Sequence, residues 1–178
     1  MPKRRSARTR NKKYNPRQPL LIVIAGGSGS GKTWLADKLI RALPRLVVRL
    51  SLDSFYLDRS HLSPARRARL NFDHPRALDW RRVEQVLHAL LSGRRAPVPV
   101  YDFKTHSRAA RVILVTPRPI ILLEGLWPLT RQSIRRLARL SVFLRCPARL
   151  RLGRRILRDQ ASRGRTRSSI HQQFRESV

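Results

Sequence analysis

Acidic residues are scarce in this chain of 178 residues. Only ten Asp and Glu stand against 40 Lys and Arg, which gives a formal net charge of +30 at pH 7. A charge of this size opposes a compact monomer through self-repulsion and favours binding to polyanions. Genomic codon bias with solvated basic faces is the simpler interpretation of the arginines. Weak binding of a polyanion or nucleic acid is the alternative.

Cysteine and long apolar runs are also nearly absent. The single cysteine, Cys146, excludes an internal disulfide framework and is typical of a reducing cytoplasm, where we expect the protein to act. No apolar run approaches the ~18 residues that a membrane span requires, so no membrane association is expected. The basic N-terminus lacks a nearby apolar segment of the kind found in secretory signals.

The composition predicts a basic arm followed by one domain. Residues 1–19 contain eight basic residues, three prolines and no acid. This segment has too little apolar surface to order itself, so a disordered arm is predicted there. The arm could contact nucleic acid or could simply aid solubility. Residues 20–178 are long enough for one domain with a hydrophobic core.

Beyond the arm, short apolar runs alternate with amphipathic segments. Leu35, Leu39, Ile40 and Leu43 form one helical stripe that ends before Pro44. The alternation indicates an α/β fold with a parallel sheet and helices on both faces. We predict buried strands at the run LLIVIA before Gly26 and at 45–53, 119–125 and 140–146, helices at 33–43, 81–93 and 147–165, and a projecting hairpin from 97–103 and 111–116.

A glycine-rich loop follows the first strand and opens the first helix. Its sequence, GGSGSGKT at residues 26–33, fits the pattern G-x-x-x-x-G-K-[ST] and is called the phosphate loop below. The glycines allow backbone N–H groups to face phosphates, and the helix adds its positive end. ATP and Mg²⁺ are therefore the expected cofactors, with Lys32 on the β- and γ-phosphates and Thr33 on the metal. The predicted nucleotide-binding residues are Gly26, Gly27, Ser28, Gly29, Ser30, Gly31, Lys32 and Thr33.

Two acids stand where predicted strands end, which is the ligand-binding edge of a parallel α/β sheet. Asp53, in SLDSFY, is placed to accept a hydroxyl proton as the γ-phosphate is attacked. Its alternative role is an N-cap for the following turn. Glu124, in IILLEG, is placed to bind Mg²⁺ directly or through water. Its alternative is a buried acid that hydrogen-bonds the loop.

Six segments occur in an order and spacing that resembles a known family. They are GGSGSGKT, SLDSFY, NFDHPRALDW, PVYDFKTHSR, ILLEG and RRILRDQASRGR, and the resemblance that they carry covers about residues 20–174. The chain resembles the uridine kinase (uridine–cytidine kinase) family of P-loop nucleoside kinases, which is related to the phosphoribulokinases. The resemblance implies a P-loop NTPase fold of the nucleoside kinase type, with an Arg-rich lid at about 147–167. It also implies ATP-dependent phosphorylation of the 5′-hydroxyl of uridine or cytidine.

The resemblance assigns roles to residues outside the phosphate loop. Asp53 matches the general base, and Asp73 matches the acid that holds the ribose hydroxyls. Tyr101 and His106 match residues that close over and recognise the pyrimidine, although alone they would be a packing residue and a surface histidine. The Arg-rich helix matches the lid, in which arginines neutralise charge on the transferred phosphoryl group. Its matching residues are Arg158 and Arg163 for catalysis and Arg155, Arg165 and, further on, Gln173 for substrate contacts.

The same resemblance implies a further helical segment and a final strand that would follow Val178. We therefore expect the sheet to lack its last edge strand. Two other functions stay open: a kinase for another small hydroxyl compound, and a nucleic-acid-binding P-loop protein without kinase activity. A homo-oligomer is also left open.

Overall fold

The computed structural model describes residues 18–68, 70–163 and 166–175. Most of the predicted basic arm, residues 1–17, lies outside the described residues, as does Arg165. Between Leu20 and Arg175 the helices and strands follow one another in this order: β1 (Leu20–Gly26), α1 (Lys32–Ala42), β2 (Val47–Ser51), α2 (Pro64–Ala68), α3 (Trp80–Leu91), β3 (Ala96–Asp102), β4 (Ser107–Val115), β5 (Ile120–Gly125), α4 (Gln132–Leu137), β6 (Ala138–Leu144), α5 (Ala148–Arg163) and α6 (Arg167–Arg175).

Four of the strands form a parallel sheet in the order β2-β5-β1-β6. Alternate residues of β1 point to opposite faces, as the pleat requires. Val23 joins a cluster with Val83 and Leu87 of α3, whereas Ile24 joins a cluster with Ala36 of α1. Helices therefore cover both faces of the sheet, which confirms the predicted α/β architecture.

The last strand differs from its prediction as a buried strand. β6 pairs with β1 and is the edge of the sheet within the described part of the chain. Leu140 and Phe143 are 52% and 62% exposed. An apolar run alone cannot distinguish an edge strand from a central one, because burial depends on what the other elements cover. Leu43 is likewise exposed, since it follows the last turn of α1 and lies beyond the covered face.

The predicted strand at 45–53 ends earlier, at Ser51. Residues Leu52–Phe55 form a 3₁₀ turn, and the Ser51 hydroxyl accepts a hydrogen bond from the Asp53 N–H at 3.3 Å. Ser51 is thus the N-cap of this turn. The alternative role of Asp53 as the N-cap is wrong, and its carboxylate is left for other contacts.

The predicted hairpin is present as a separate antiparallel pair of β3 and β4, in register from Ala96 opposite Val115 to Asp102 opposite Ser107. Val98 and Tyr101 of β3 pack into the cluster that also holds α3. β3 therefore anchors the hairpin on the domain, and Arg108 of β4 adds a hydrogen bond to the Tyr56 carbonyl at 2.8 Å. The turn of the hairpin lies beside the segment that contains Asp73, where His106 contacts Phe72.

We find no helix in residues 18–68, 70–163 or 166–175 with both the length and the apolar character to cross a bilayer.

Candidate active site

The phosphate loop joins β1 to α1 through a turn that depends on glycine. Gly29 and Gly31 have φ angles of 79° and 97°, in the left-handed region that other residues rarely adopt. The loop closes through a hydrogen bond from the Ser30 N–H to the Gly27 carbonyl at 3.1 Å. Gly31 is the N-cap of α1, so the positive end of this helix points into the loop.

Lys32 lies against the loop and is almost fully buried. Its ammonium donates to the Gly27 carbonyl at 3.1 Å. Burial lowers the pKa of Lys32 below its ordinary value, and the charges of Glu124 and Asp53 offset only part of that effect. The ammonium is thus largely desolvated, and an anion on the loop would interact with it strongly.

The predicted acids converge with the loop. Asp53, Asp73 and Glu124 line one depression of about 30 Å³ together with Lys32 and Thr33. The Tyr56 hydroxyl donates to the Asp53 carboxylate at 3.5 Å, while Arg158 and Ser28 complete the polar lining. Residues from five separate segments of the sequence therefore meet at the carboxyl ends of the strands.

Glu124 has a partner that the sequence analysis missed. The Arg49 guanidinium donates to Glu124 Oε1 at 2.7 Å and to Asp37 Oδ1 of α1 at 2.9 Å. Glu124 is only 3% exposed, so its charge is compensated by Arg49 and by the nearby Lys32. The signal in the sequence was an arginine inside the mostly apolar strand VVRLS.

Helix α5, which falls within the predicted lid, is fixed beside the site by a buried ionic network. Arg155, 2% exposed, donates to Asp73, to Asp159 at 3.3 Å and to the Gln173 side-chain carbonyl at 3.2 Å. Asp159, which the sequence analysis also missed, is fully buried and accepts from Arg158 at 2.7 Å. Arg155 therefore joins two other predicted substrate residues, Asp73 and Gln173, by hydrogen bonds.

Arg158 connects this network to the phosphate loop. Its Nη2 donates to the Ser28 hydroxyl at 3.2 Å. Burial acts to lower the pKa of Arg158, but the hydrogen bond and charge of Asp159 raise it above its ordinary value. A permanent positive charge thus faces the loop. Arg163 belongs to α5, but its side chain lies outside the described residues, so its predicted role stays untested, as does that of Arg165.

The hairpin residues meet the segment that contains Asp73. The His106 ring stacks on Phe72 with centroids 4.5 Å apart and an interplanar angle of 13°. Tyr101 is 7% exposed and its ring packs against Tyr56 and Phe103 at 5.1 and 5.4 Å. An aromatic group thus adjoins the predicted ribose-binding acid. Phe72 and Tyr56 were not singled out from the sequence, although both stand inside the motifs NFDHP and SLDSFY.

The residues of the depression fit ATP and Mg²⁺. Over the described ranges, no group of three or more His, Cys, Asp or Glu could hold a metal by itself. Mg²⁺ commonly uses one or two protein oxygens together with substrate phosphates, and Thr33 and Glu124 offer such oxygens. The buried Ser30 hydroxyl has no hydrogen-bond partner in the described structure, which suits a loop that receives phosphate oxygens.

Comparison with known proteins extends this picture. Residues 21–178 match the model of the phosphoribulokinase / uridine kinase family. The uridine kinase of Brevibacillus brevis is 43% identical over 157 residues, which cover 88% of this chain and 73% of that protein. The uridine kinase of Halalkalibacterium halodurans is 39% identical over 163 residues, covering 91% and 77%.

The fold is also similar to that of a solved kinase. The structure of phosphoribulokinase from Rhodobacter spheroides matches with a TM-score of 0.62 and 18% identity, over 89% of this chain and 63% of that one. At this identity the likeness concerns the fold alone. The family match along nearly the whole domain, together with relatives well above 30% identity, shows that this chain belongs to the phosphoribulokinase / uridine kinase family.

Proposed function

We propose that this protein transfers the γ-phosphoryl group of ATP to the 5′-hydroxyl of a pyrimidine ribonucleoside, uridine or cytidine, and releases the monophosphate. One observation carries the proposal: the phosphate-loop residues Lys32 and Thr33 and the acids Asp53 and Asp73 line a single depression. A donor held by the loop and an acceptor held by the acids would meet there. The uridine kinase relatives support the same acceptor class.

The donor side consists of the loop, Lys32, Thr33 and Glu124. The loop N–H groups and the Lys32 ammonium bind the phosphates, and the positive end of α1 adds to the attraction. Thr33 and Glu124 would hold Mg²⁺, which when bound neutralises charge on the β- and γ-phosphates. Arg158, already fixed between Asp159 and the loop, is placed to stabilise negative charge on the transferred group.

The acceptor side consists of the acids and the aromatic group beside them. Asp73 binds the ribose hydroxyls, while Tyr101 and His106 contact the pyrimidine ring. Asp53 accepts the proton of the 5′-hydroxyl as that oxygen attacks the γ-phosphorus. These roles are supported by the presence of Asp53 in the same depression as Lys32 and Asp73.

The depression is too small for a nucleoside in this structure, so the acceptor cannot bind unless part of the protein moves. The depression holds only about 30 Å³, whereas sites for small molecules usually measure a few hundred Å³. Arg155 of α5 is bonded to Asp73, the residue proposed to bind ribose. Binding of a nucleoside therefore requires α5 to move and Asp73 to exchange a guanidinium for hydroxyl groups. Closure of α5 afterwards would keep water away from the phosphoryl group.

The test is transfer of label from γ-labelled ATP with uridine, with cytidine and without acceptor. We expect label in UMP, CMP or both, and none from the Lys32→Ala protein. Asp53→Asn, which preserves shape, should reduce kcat about 10²- to 10⁴-fold because the general base is removed. Circular dichroism on each variant serves as the folding control. Absence of transfer to both nucleosides by the folded wild-type chain would contradict the proposal.

A further inference from the structure

A second cavity adjoins the phosphate loop and has no role in the site described above. Its volume is about 650 Å³, ample for a small ligand. The loop contributes Ser30 and Gly31 to this cavity, whereas it contributes Ser28, Lys32 and Thr33 to the depression that holds the acids. The remaining lining comes from α1, the end of β6 and helix α5: Trp34, Leu35, Leu144 and Arg154.

Because different residues of the loop line the cavity and the depression, a nucleotide on the loop has a defined orientation. The phosphate that is transferred must lie in the depression that holds Asp53, because the acceptor is bound there. The other end of the same nucleotide then extends away from the acids. The cavity is a large space on the loop that the acids do not line, and its volume exceeds that of the neighbouring depression of about 300 Å³ beside Gly26 and Gly27.

The lining suits a flat aromatic ring. Trp34 follows Thr33 directly and is 63% exposed, although an indole of this size is usually more buried. Leu35 and Leu144 add apolar surface. Aromatic side chains bind nucleobases by stacking, whatever the pattern of donors and acceptors on the base edge.

Arg154 adds a second planar group to the cavity. Its Nη1 donates to the Gly29 carbonyl at 3.4 Å, which holds the guanidinium at the loop. Planar guanidinium groups stack on aromatic rings as well as bind anions. Lys38 lies over the Trp34 ring, with Nζ 5.5 Å from the centroid, and so limits the positions of the indole.

We propose that Trp34 is the stacking surface for the nucleobase of the phosphate donor, with Arg154 as the opposing group in the cavity. The inference rests on the proposed function for the nucleoside triphosphate donor and for the position of the transferred phosphate beside Asp53. It assigns to Trp34 a contribution to donor affinity that the phosphate loop does not supply.

Binding measurements on the full chain test this without relying on catalysis. Calorimetric titration with ATP and with inorganic tripolyphosphate, each with Mg²⁺, separates the contribution of the base from that of the phosphates. We expect Trp34→Ala to raise the Kd of ATP about tenfold, a typical loss for one stacked base, and to leave the Kd of tripolyphosphate unchanged. Trp34→Phe should retain most of the ATP affinity, because a flat ring remains.

Phe143→Ala is the matched control. Phe143 is 62% exposed and lines a neighbouring depression of about 300 Å³ instead of this cavity, so its loss should leave both Kd values unchanged. Equal ATP affinity in wild type and Trp34→Ala, or an equal loss for ATP and tripolyphosphate, would overturn the inference. ATP binding no tighter than tripolyphosphate binding in the wild type would do the same.

The outcomes also separate this inference from the proposed function. A selective loss of ATP affinity in Trp34→Ala, without phosphoryl transfer to nucleosides, would support the base site and reject the acceptor. Transfer to uridine with unchanged ATP affinity in Trp34→Ala would support the kinase and reject the base site. Failure of wild type to bind either ligand would reject both.

Discussion

Lys32 gives the phosphate loop a dependence on pH. Its pKa is lowered, chiefly by burial, and only the protonated ammonium attracts phosphate. ATP affinity should therefore be highest below this lowered pKa and should weaken as the pH rises through it. For an ordinary lysine the decline would begin only near pH ~10.

Titration of ATP binding between pH 7.5 and about 10 measures this effect. Lys32→Arg should shift the decline to higher pH, because arginine stays charged throughout the range. An identical pH dependence in the wild-type and Lys32→Arg proteins would show that another group controls the affinity.

The Arg49 guanidinium compensates the negative charge of the buried Glu124 carboxylate. Replacing Arg49 with Met would leave the buried carboxylate of Glu124 without its guanidinium partner. The free energy of unfolding should fall by about 3 kcal/mol, as when one member of a buried ion pair is removed. Chemical denaturation of the purified variant measures the change.

Asp37→Asn is the control for Arg49→Met. It removes the charge of Asp37, the second partner of Arg49, whose side chain is 44% exposed. The free energy of unfolding should therefore fall by less than about 1 kcal/mol. Equal losses in the two variants would mean that Arg49 stabilises α1 and that its bond to Glu124 adds little.

At the scale of elements, the docking of helix α5 on the domain depends on the buried side chain of Arg155. Arg155 connects the helix to Asp73 and Gln173. Its replacement by Leu would remove the guanidinium that compensates the charge of Asp73 and would leave Asp159 paired with Arg158 alone. The helix should then separate from the domain more often. Limited proteolysis should cleave Arg155→Leu within residues 148–163 several times faster than the wild-type protein.

Arg149→Leu provides the comparison, since it changes an exposed arginine of the same helix. Its cleavage rate should match that of the wild type. Equal acceleration in both variants would indicate that the loss of one positive charge, and not the buried network, controls the docking of α5.

At the scale of the whole molecule, the charge of +30 should reduce stability through repulsion. Sodium chloride screens such repulsion, with a Debye length that falls from about 10 Å at 0.1 M to about 3 Å at 1 M. The Tm should therefore rise by several degrees between low salt and 0.5 M NaCl. Chloride is preferable to phosphate or sulfate, which could bind the phosphate loop directly. A Tm that falls with salt would show that partly exposed ion pairs such as Arg131–Glu84, which salt screens, outweigh the repulsion.

The sequence by itself determined the local parts of this protein. The phosphate loop was recognisable because its glycines, Lys32 and Thr33 act within a few residues of one another. The alternation of apolar runs with helical stripes predicted the sheet, its two covered faces and the hairpin. The positions of Asp53 and Glu124 followed from the rule that ligands bind at the carboxyl ends of parallel strands.

The tertiary structure decided which distant residues became neighbours. A pattern along the chain does not reveal that Arg49 reaches Glu124, or that Arg155 crosses 82 positions to Asp73. Nor does it reveal that β6 is an edge whose Phe143 stays exposed, or that Trp34 lines a cavity beside the loop. Burial and ion pairing depend on contacts between elements, and those contacts exist only once the sheet, helix α5 and the loop are packed together.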